Sequence, residues 1–153
     1  MAEERHTFKI FASIILRRDN KVLLMRRFNT GFDDGLYHCV GGGVDGCEPI
    51  TQAMVREARE ELGVKVEPAN LKVVHVLHFR GPNRDYEYVN FFAEATEWEG
   101  EPQNIEPHKC DDVCWFACDA LPATLMPSVK HVIESVGRGV FYSEFGWGDM
   151  SEL

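Results

Sequence analysis

The sequence predicts an α+β fold in which helices pack on a mixed β-sheet. Segments with a β-type pattern occur both before and after one long segment of helical composition, residues 50–62. Strands on both sides of a central helix favour a layered sandwich. The chain has 153 residues, which suits a single domain spanning residues 1–153. Hydrophobic residues make up 44% and charged residues 27% of the chain, which is typical of a folded globular protein.

The first quarter of the chain predicts a β-hairpin followed by a loop. Residues 8–16 are rich in Phe and Ile and predict a strand. A turn at residues 19–20 leads to a second strand at residues 21–26, so the two strands are expected to pair. Residues 28–35 hold two glycines and two aspartates and predict a loop. A short strand is expected at residues 36–40.

A cluster of glycines then precedes the central helix. Residues 41–43 are all glycine, and Gly46 follows shortly after. We expect this cluster to form a loop with unusual backbone angles. Residues 50–62 are dominated by Ala, Met, Arg and Glu and predict a helix, which Gly63 is placed to end.

The second half of the chain predicts further strands and one more helix. Residues 97–109 are polar with two prolines and predict a loop, and residues 141–153 predict an aromatic, irregular tail. The other predicted elements are strands at residues 71–79, 86–95 and 113–116, a turn at residues 81–83, and a helix near residues 128–136.

Charge and hydropathy exclude several classes of partner. The formal net charge of −9 would repel duplex nucleic acid, so we expect no such partner. No apolar stretch approaches the roughly 20 residues that span a bilayer, and no signal-peptide pattern is present. We therefore expect no membrane association and a cytoplasmic location. Five cysteines, an odd count without a secretory signal, indicate reduced thiols.

The predicted helix carries a concentrated group of acidic side chains. On a helical wheel three carboxylates fall within about 100° of arc, and an apolar group is expected on the opposite face. The carboxylates are Glu57, Glu60 and Glu61, and the apolar group is Val55, Ala58 and Leu62. Hard divalent cations prefer oxygen ligands and would neutralise this charge. A solvated acidic face, balanced by Arg56 and Arg59, is the alternative from helical spacing alone.

The segment from Gly42 to Val64 resembles a known motif. It reads GGVDGCEPITQAMVREAREELGV, which is similar to the Nudix box, G-x5-E-x7-R-E-U-x-E-E-x-G-U with U aliphatic. The small Ala58 stands at the first U position, and the other fixed positions match. The resemblance implies the Nudix α/β/α sandwich around a mixed β-sheet, and hydrolysis of a diphosphate linkage.

The resemblance also implies roles for individual residues. Glu57, Glu60 and Glu61 would bind Mg²⁺ or Mn²⁺, with the Gly41 carbonyl as a further ligand, because a glycine-rich segment lets a backbone carbonyl turn toward the metal. From the wheel we expect Arg56 to point away from Glu57. We expect it instead to pair with Glu48 and hold the preceding segment against the helix. The general base would be Glu57 or a loop carboxylate, for which Glu106 is the candidate.

Segments outside the box resemble a subgroup that acts on nucleoside triphosphates. They are residues 29–31, 34–37, 106–112, 115–116 and 121–122. This implies a small nucleotide-like substrate, cleaved to a monophosphate and pyrophosphate, and a possible homodimer. Dinucleoside polyphosphate or nucleotide-sugar hydrolysis is the alternative, and a non-catalytic ligand-binding module is another.

Three further residues bear on which base the protein would bind. In MutT-type members that clear oxidised guanine nucleotides, an asparagine that reads the base follows the proline region. Leu125 stands at that position in this chain. Phe28 and Tyr37 are candidates for stacking on a base, and equally for the core.

Overall fold

The computed structural model describes residues 3–83 and 86–148, and these residues form a sheet covered by one helix on each face. The strands are β1 (Lys9–Arg18), β2 (Lys21–Arg27), β3 (Tyr37–His38), β4 (Val40–Gly43), β5 (Lys72–Arg80), β6 (Glu87–Ala95), β7 (Cys110–Ala117) and β8 (Tyr142–Phe145). The helices are α1 (Ile50–Leu62) and α2 (Pro127–Gly137), with a 3₁₀ turn at Pro68–Asn70.

The sheet is mixed, as the sequence predicts. Its strands follow the order β3-β2-β1-β6-β5-β8, with β4 beside β1 and β7 beside β2. β1 pairs in parallel with β6 from Lys9↔Tyr88 to Leu16↔Ala95, and β5 pairs in parallel with β8. The remaining pairings are antiparallel, including the predicted β1–β2 hairpin. The predicted sandwich class is therefore confirmed.

Two hydrophobic cores lie on opposite faces of the sheet, because successive side chains of a strand point to opposite sides. One core joins the sheet to α1, and the other joins it to α2. The α1 core includes Ala12, Ile14 and Leu16 of β1 with Ala53, Met54, Ala58 and Leu62 of the helix. The α2 core includes Ile15 of β1 and Val22 and Leu24 of β2 with Val129, Val132 and Ile133 of the helix.

Helix α1 has the bounds that the sequence predicts. It begins after Pro49, whose carbonyl accepts hydrogen bonds from the amides of Gln52 and Ala53 at 3.0 Å each. It ends at Gly63, which adopts φ 69° and donates its N–H to the carbonyl of Arg59 at 3.0 Å. This left-handed cap favours glycine, which has no Cβ to clash.

The glycine segment before α1 is a strand, so the predicted loop at residues 41–43 is wrong. β4 pairs antiparallel with β1 from Phe11↔Gly43 to Ile14↔Val40. The short strand predicted at residues 36–40 is split, since β3 ends at His38 and β4 starts at Val40. Glycines are poor strand formers because they have no side chain to pack. Their presence here indicates that neighbouring groups approach the backbone closely.

The C-terminal tail also contains a strand that the sequence does not predict. β8 extends the sheet by pairing Val76↔Tyr142 through Phe79↔Phe145. His75, fully buried, anchors this strand by bonding to the Val140 carbonyl at 2.8 Å and the Ser143 hydroxyl at 2.7 Å. The irregular tail predicted at residues 141–153 is therefore wrong for β8, and residues 149–153 lie outside the described part.

The helices that the structure describes are too short or too polar to cross a membrane. All five cysteines are free thiols. This confirms the prediction that they form no disulfide framework.

Candidate active site

Arg56 of α1 is the centre of an ion-pair network. Its guanidinium donates to both carboxylate oxygens of Glu48, at 2.8 and 3.0 Å. This two-point pair holds the segment before the helix against α1, as the sequence predicts, and a planar guanidinium suits such a pair. Arg56 also lowers the pKa of Glu48 to about 2. The Asp45 amide donates to the same carboxylate at 3.0 Å and adds to that shift.

Arg56 also contacts Glu57, against the prediction that the two side chains point apart. Its Nη1 donates to Glu57 at 2.7 Å and to Glu60 at 3.3 Å. The wheel gives the direction of the Cα–Cβ bond, whereas the long arginine stem curls back across the helix surface. Asp45 also lies 3.5 Å from the guanidinium, so one cation neutralises part of the charge of four carboxylates.

The carboxylate of Glu57 lies directly against Gly42 in β4. A Cβ atom built on Gly42 would lie 2.7 Å from the carboxyl carbon of Glu57, so any side chain at position 42 would displace this carboxylate. The Glu57 side chain is only 13% exposed. Burial raises the pKa of Glu57, and nearby Glu60 and Glu106 add to the rise, while Arg56 opposes it. The Glu57 carboxylate thus occupies the space that a side chain at position 42 would need.

Glu61 is held by the neighbouring glycine. The Gly41 amide donates a hydrogen bond of 2.9 Å to Glu61 Oε2. Burial raises the pKa of Glu61 to about 8, the Gly41 amide lowers it, and the charges of Glu57 and Glu106 raise it further. The structure thus shows the Gly41 amide at the carboxylates, whereas the predicted contribution of Gly41 was its carbonyl.

Two of the three helix carboxylates approach the sheet and only Glu60 is exposed, so the two opposite faces predicted for α1 are wrong. Ala58 and Leu62 are buried as predicted, but Val55 is only partly buried. The Glu57 carboxylate lies against Gly42, and the Glu61 carboxylate accepts a hydrogen bond from Gly41, so both contact β4. Because β4 has glycines at this point, the sheet leaves room for charged side chains where a larger residue would fill the space.

Glu106 approaches the same group from the loop before β7. Its side chain is 23% exposed and pairs with Lys109 at 3.1 Å. It contributes to the raised pKa of both Glu57 and Glu61. The fold therefore brings Glu106 close to the helix carboxylates, which are more than 40 positions away in the sequence.

The donor set fits a hard divalent cation. Several carboxylates lie close together, and burial together with the neighbouring carboxylates raises the pKa of Glu57 and of Glu61. Added positive charge would stabilise their ionised forms. Within residues 3–83 and 86–148, no three Asp, Glu, His or Cys side chains are already arranged to hold one ion.

A recess of about 340 Å³ lies beside β4 on the α2 face of the sheet. We call it the inner recess. It is lined by Phe11, Ser13, Arg27, Phe32, His38, Cys39, Gly41, Gly42, Leu77, Tyr88, Asn90, Phe92, Met126, Ser128 and Val129. Apolar walls with a few polar groups are typical of small-molecule sites. Gly41 and Gly42 separate this recess from the carboxylates.

Arg27 connects the inner recess with the carboxylates. It lines the recess, and its charge lowers the pKa of Glu61. Burial lowers the pKa of His38 to about 4, and the charge of Arg27 adds to this shift. Its guanidinium donates to the Phe32 carbonyl at 2.7 Å and the Thr30 hydroxyl at 3.1 Å. Arg27 is not among the residues predicted from the sequence, because its proximity to Glu61 depends on the pairing of strands.

The residues considered for base recognition lie in different surroundings. Leu125 is only 5% exposed and packs in the α2 core, so it is not placed to read a base. Tyr37 is also in that core and donates its hydroxyl to Asp112. Phe28 is 47% exposed and does not line the inner recess. The rings that do line it include Phe11, Phe32 and Tyr88, none of which the sequence analysis proposed.

Comparison with known proteins gives a consistent family assignment. The sequence model of the NUDIX domain family matches residues 7–136. A MutT NUDIX hydrolase from Burkholderia pseudomallei has a similar crystal structure, with a TM-score of 0.78 and 28% identity over 84% of this chain and 98% of that one. The predicted fold is thus confirmed independently of the sheet order.

Two relatives with named substrates are also similar. The NAD-capped RNA hydrolase NudC of Pseudomonas aeruginosa PAO1 is 36% identical over 109 residues, or 71% of this chain. This chain spans only 36% of the length of that protein. The CTP pyrophosphohydrolase of Escherichia coli K12 is 45% identical over 51 residues, covering 33% of this chain and 38% of that protein. The named substrates of these relatives differ.

Proposed function

Because the chain belongs to the Nudix hydrolase family, we propose that it hydrolyses a phosphoric anhydride bond in a nucleoside diphosphate-linked substrate. The observation that carries this proposal is the glycine strand β4. One side of β4 contacts the carboxylates of Glu57 and Glu61, and the other side lines the inner recess. A nucleoside in the recess would therefore place its phosphates beside the acidic group.

The metal-binding residues in this proposal are Glu57, Glu60 and Glu61, with the Gly41 carbonyl as a further candidate ligand. Mg²⁺ or Mn²⁺ at this position would offset the charge that develops on the phosphate oxygens. Arg56 and Glu48 position the helix carboxylates through the ion pairs described above. Glu57 and Glu106 are the two candidates for the group that accepts a proton from the attacking water.

A nucleoside triphosphate, cleaved to monophosphate and pyrophosphate, is our first candidate substrate. The similarity to a CTP pyrophosphohydrolase supports it. The similarity to NAD-capped RNA hydrolases favours a second candidate, a substrate with a larger group beyond the diphosphate. A purely ligand-binding module is less consistent with the site, because Glu48, Glu57 and Glu60 all contact Arg56 and Glu61 lies beside them at Gly41.

The proposed partner is a small nucleotide-like molecule. The net charge of −9 supports the prediction that duplex nucleic acid is not bound. The homodimer and the cytoplasmic location stay predictions from the sequence.

A release assay tests the proposed reaction. The protein would be incubated with Mg²⁺ and nucleoside triphosphates, oxidised nucleoside triphosphates, dinucleoside polyphosphates or nucleotide sugars, and pyrophosphate and phosphate would be measured. We expect turnover on at least one class, and its loss when EDTA removes the metal. Absence of metal-dependent turnover on all of them, in protein shown to be folded by circular dichroism, would support a binding module instead.

We expect Arg27→Gln to lower kcat/KM by about 10- to 100-fold, because a charge-assisted contact to phosphate contributes about 1.5–3 kcal/mol. Arg27 is the cation that lines the inner recess and acts on Glu61. Steady-state kinetics would measure the effect. The control is Arg138→Gln, which makes the same charge change at the exposed end of α2. Equal kcat/KM values for the two variants would contradict a phosphate contact at Arg27.

A further inference from the structure

The last strand, β8, carries one half-buried ring on the α2 face of the sheet. Ser143 and Phe145 are half-buried, whereas Tyr142 and Glu144 are exposed. Because side chains alternate along a strand, the rings of Phe145 and Tyr142 point to opposite faces. Phe145 packs against the α2 core. The two rings therefore belong to the same strand but have different neighbours.

A row of aromatic rings crosses the sheet from Phe145 to the inner recess. Phe145 pairs with Phe79 of β5, and their rings are stacked with centroids 6.0 Å apart. Phe79 pairs in turn with Tyr88 of β6, with the ring centroids stacked at 4.6 Å. The Tyr88 ring lies 4.8 Å from that of Phe11 in β1, and both rings line the inner recess. The row thus connects the edge strand β8 with the recess.

Phe145 has neighbours on two elements. Besides Phe79 of β5, the imidazole of His131 in α2 lies 5.4 Å from the Phe145 ring. Phe79 is itself only 9% exposed, so it has little room to move. Close-packed interiors transmit a displacement from one side chain to the next. The position of Tyr88 therefore depends on Phe145, although Phe145 does not line the recess.

Polar bonds fix the strand that carries Phe145. Burial lowers the pKa of His75, so its imidazole is uncharged at neutral pH. Its Nδ1 donates to the Val140 carbonyl at 2.8 Å, and its Nε2 accepts from the Ser143 hydroxyl at 2.7 Å. Beyond β8, the Trp147 indole donates to the His78 carbonyl at 3.2 Å. Both ends of β8 are thus bonded to β5.

We propose that β8 is a positioning element for substrate binding: through Phe145 and Phe79 it fixes the Tyr88 ring, on which the base of the substrate stacks. Phe32, another ring of the inner recess, is 51% exposed in the loop before β3, whereas Tyr88 has ring neighbours on two adjacent strands. A ring that is already held in place loses less entropy when a base stacks on it. This inference rests on the proposed function, which places a nucleoside in the inner recess.

Equilibrium binding and kinetics test this role. The probes are the α,β-methylene analogues of ATP, GTP, CTP and UTP with Mg²⁺, measured by isothermal titration calorimetry. We expect Phe145→Ala to raise the Kd of the tightest-binding analogue about fivefold, because stacked aromatic pairs contribute effects of this size. On whichever substrate turns over, KM should rise similarly. The value of kcat should stay within about twofold, since Glu57 and Glu61 contact β4 on its other side.

Tyr142→Ala is the matched control. It removes a ring from the same strand, but this ring is 52% exposed and lies on the opposite face from Phe145. It should leave Kd and KM within about twofold of the parent values, because a ring on that face does not contact the row. Circular dichroism and urea denaturation would establish that both variants are folded.

A double-mutant cycle tests whether Phe145 acts through Tyr88. Tyr88→Ala is expected to raise Kd about tenfold, because it removes the ring on which the base stacks. If Phe145 acts by placing that ring, Phe145→Ala should raise Kd by less than about twofold in the Tyr88→Ala background. Effects of the two substitutions that simply multiply would overturn the positioning role.

The remaining outcomes separate this inference from the proposed function. An unchanged Kd in Phe145→Ala, or equal effects of Phe145→Ala and Tyr142→Ala, would overturn the role of β8 and leave the proposed hydrolysis intact. A loss of kcat with unchanged KM in Phe145→Ala would do the same. Failure of every analogue to bind the parent protein, together with no turnover in the release assay, would overturn the proposed function and this inference with it.

Discussion

Gly42→Ala is expected to lower kcat by about 100-fold while changing the free energy of unfolding by less than about 1 kcal/mol. The new methyl group would occupy the place of the Glu57 carboxylate, because a Cβ there lies 2.7 Å from its carboxyl carbon. The group that must move is the end of a flexible side chain, so the fold tolerates the change. Its displacement by about 1 Å is enough to disturb catalysis. Steady-state kinetics and urea denaturation would measure the two effects.

The adjacent glycines are internal controls with different expected results. A Cβ on Gly43 meets no atom within 4 Å, so Gly43→Ala should keep both activity and stability. A Cβ on Gly41 would collide with the backbone carbonyl of Ala12 and lie 2.7 Å from Ser13 Cα. Because backbone cannot swing aside, Gly41→Ala should cost about 3 kcal/mol. A Gly42→Ala variant as active as Gly43→Ala would show that the position of Glu57 is unimportant.

Glu61→Gln is expected to lower kcat/KM by about 10²- to 10³-fold, because a metal-binding carboxylate contributes several kcal/mol to transition-state stabilisation. Its effect on stability should have the opposite sign. Glu61 is buried beside Glu57 and Glu106, and glutamine keeps its shape and can still accept the Gly41 hydrogen bond without carrying charge. In EDTA, the free energy of unfolding should therefore stay equal or increase.

Glu67→Gln is the matched control for this prediction. Glu67 has a 58% exposed side chain and pairs with Lys65 at 3.0 Å, away from the site. Its replacement should leave both kcat/KM and stability within a factor of two and about 0.5 kcal/mol of the parent. A Glu61→Gln variant that unfolds more easily than the parent in EDTA would show that this carboxylate is structural.

Most helices and strands of the fold follow from local signals in the sequence. The predicted and observed bounds of α1 agree, because the helix is set by its own composition and by Pro49 and Gly63 at its ends. The errors occur where strand pairing decides the structure. β4 pairs with β1, and β8 pairs with β5, where His75 also bonds to Val140 and Ser143. Neither partner is visible from a window of neighbouring residues.

The candidate site likewise contains some residues that local sequence patterns predict and others that only strand pairing brings together. Helical spacing and the box resemblance predict site roles for Glu57, Glu60, Glu61, Arg56 and Glu48. The wheel did not show that Glu57 and Glu61 occupy space left by glycines, because that depends on which strand packs against α1. Arg27 and the rings of the inner recess come from separate strands and loops, so only the folded sheet brings them together.

Because β4 pairs with β1, the Nudix box depends on a strand outside the box for its structure. A peptide of residues 42–64 would contain every carboxylate of the box, but a 13-residue helix is marginal in water without a partner. It would also lack β1, on which β4 depends for its position. Transplanting these residues onto an unrelated helix would therefore transfer the acidic charge without the geometry that directs it.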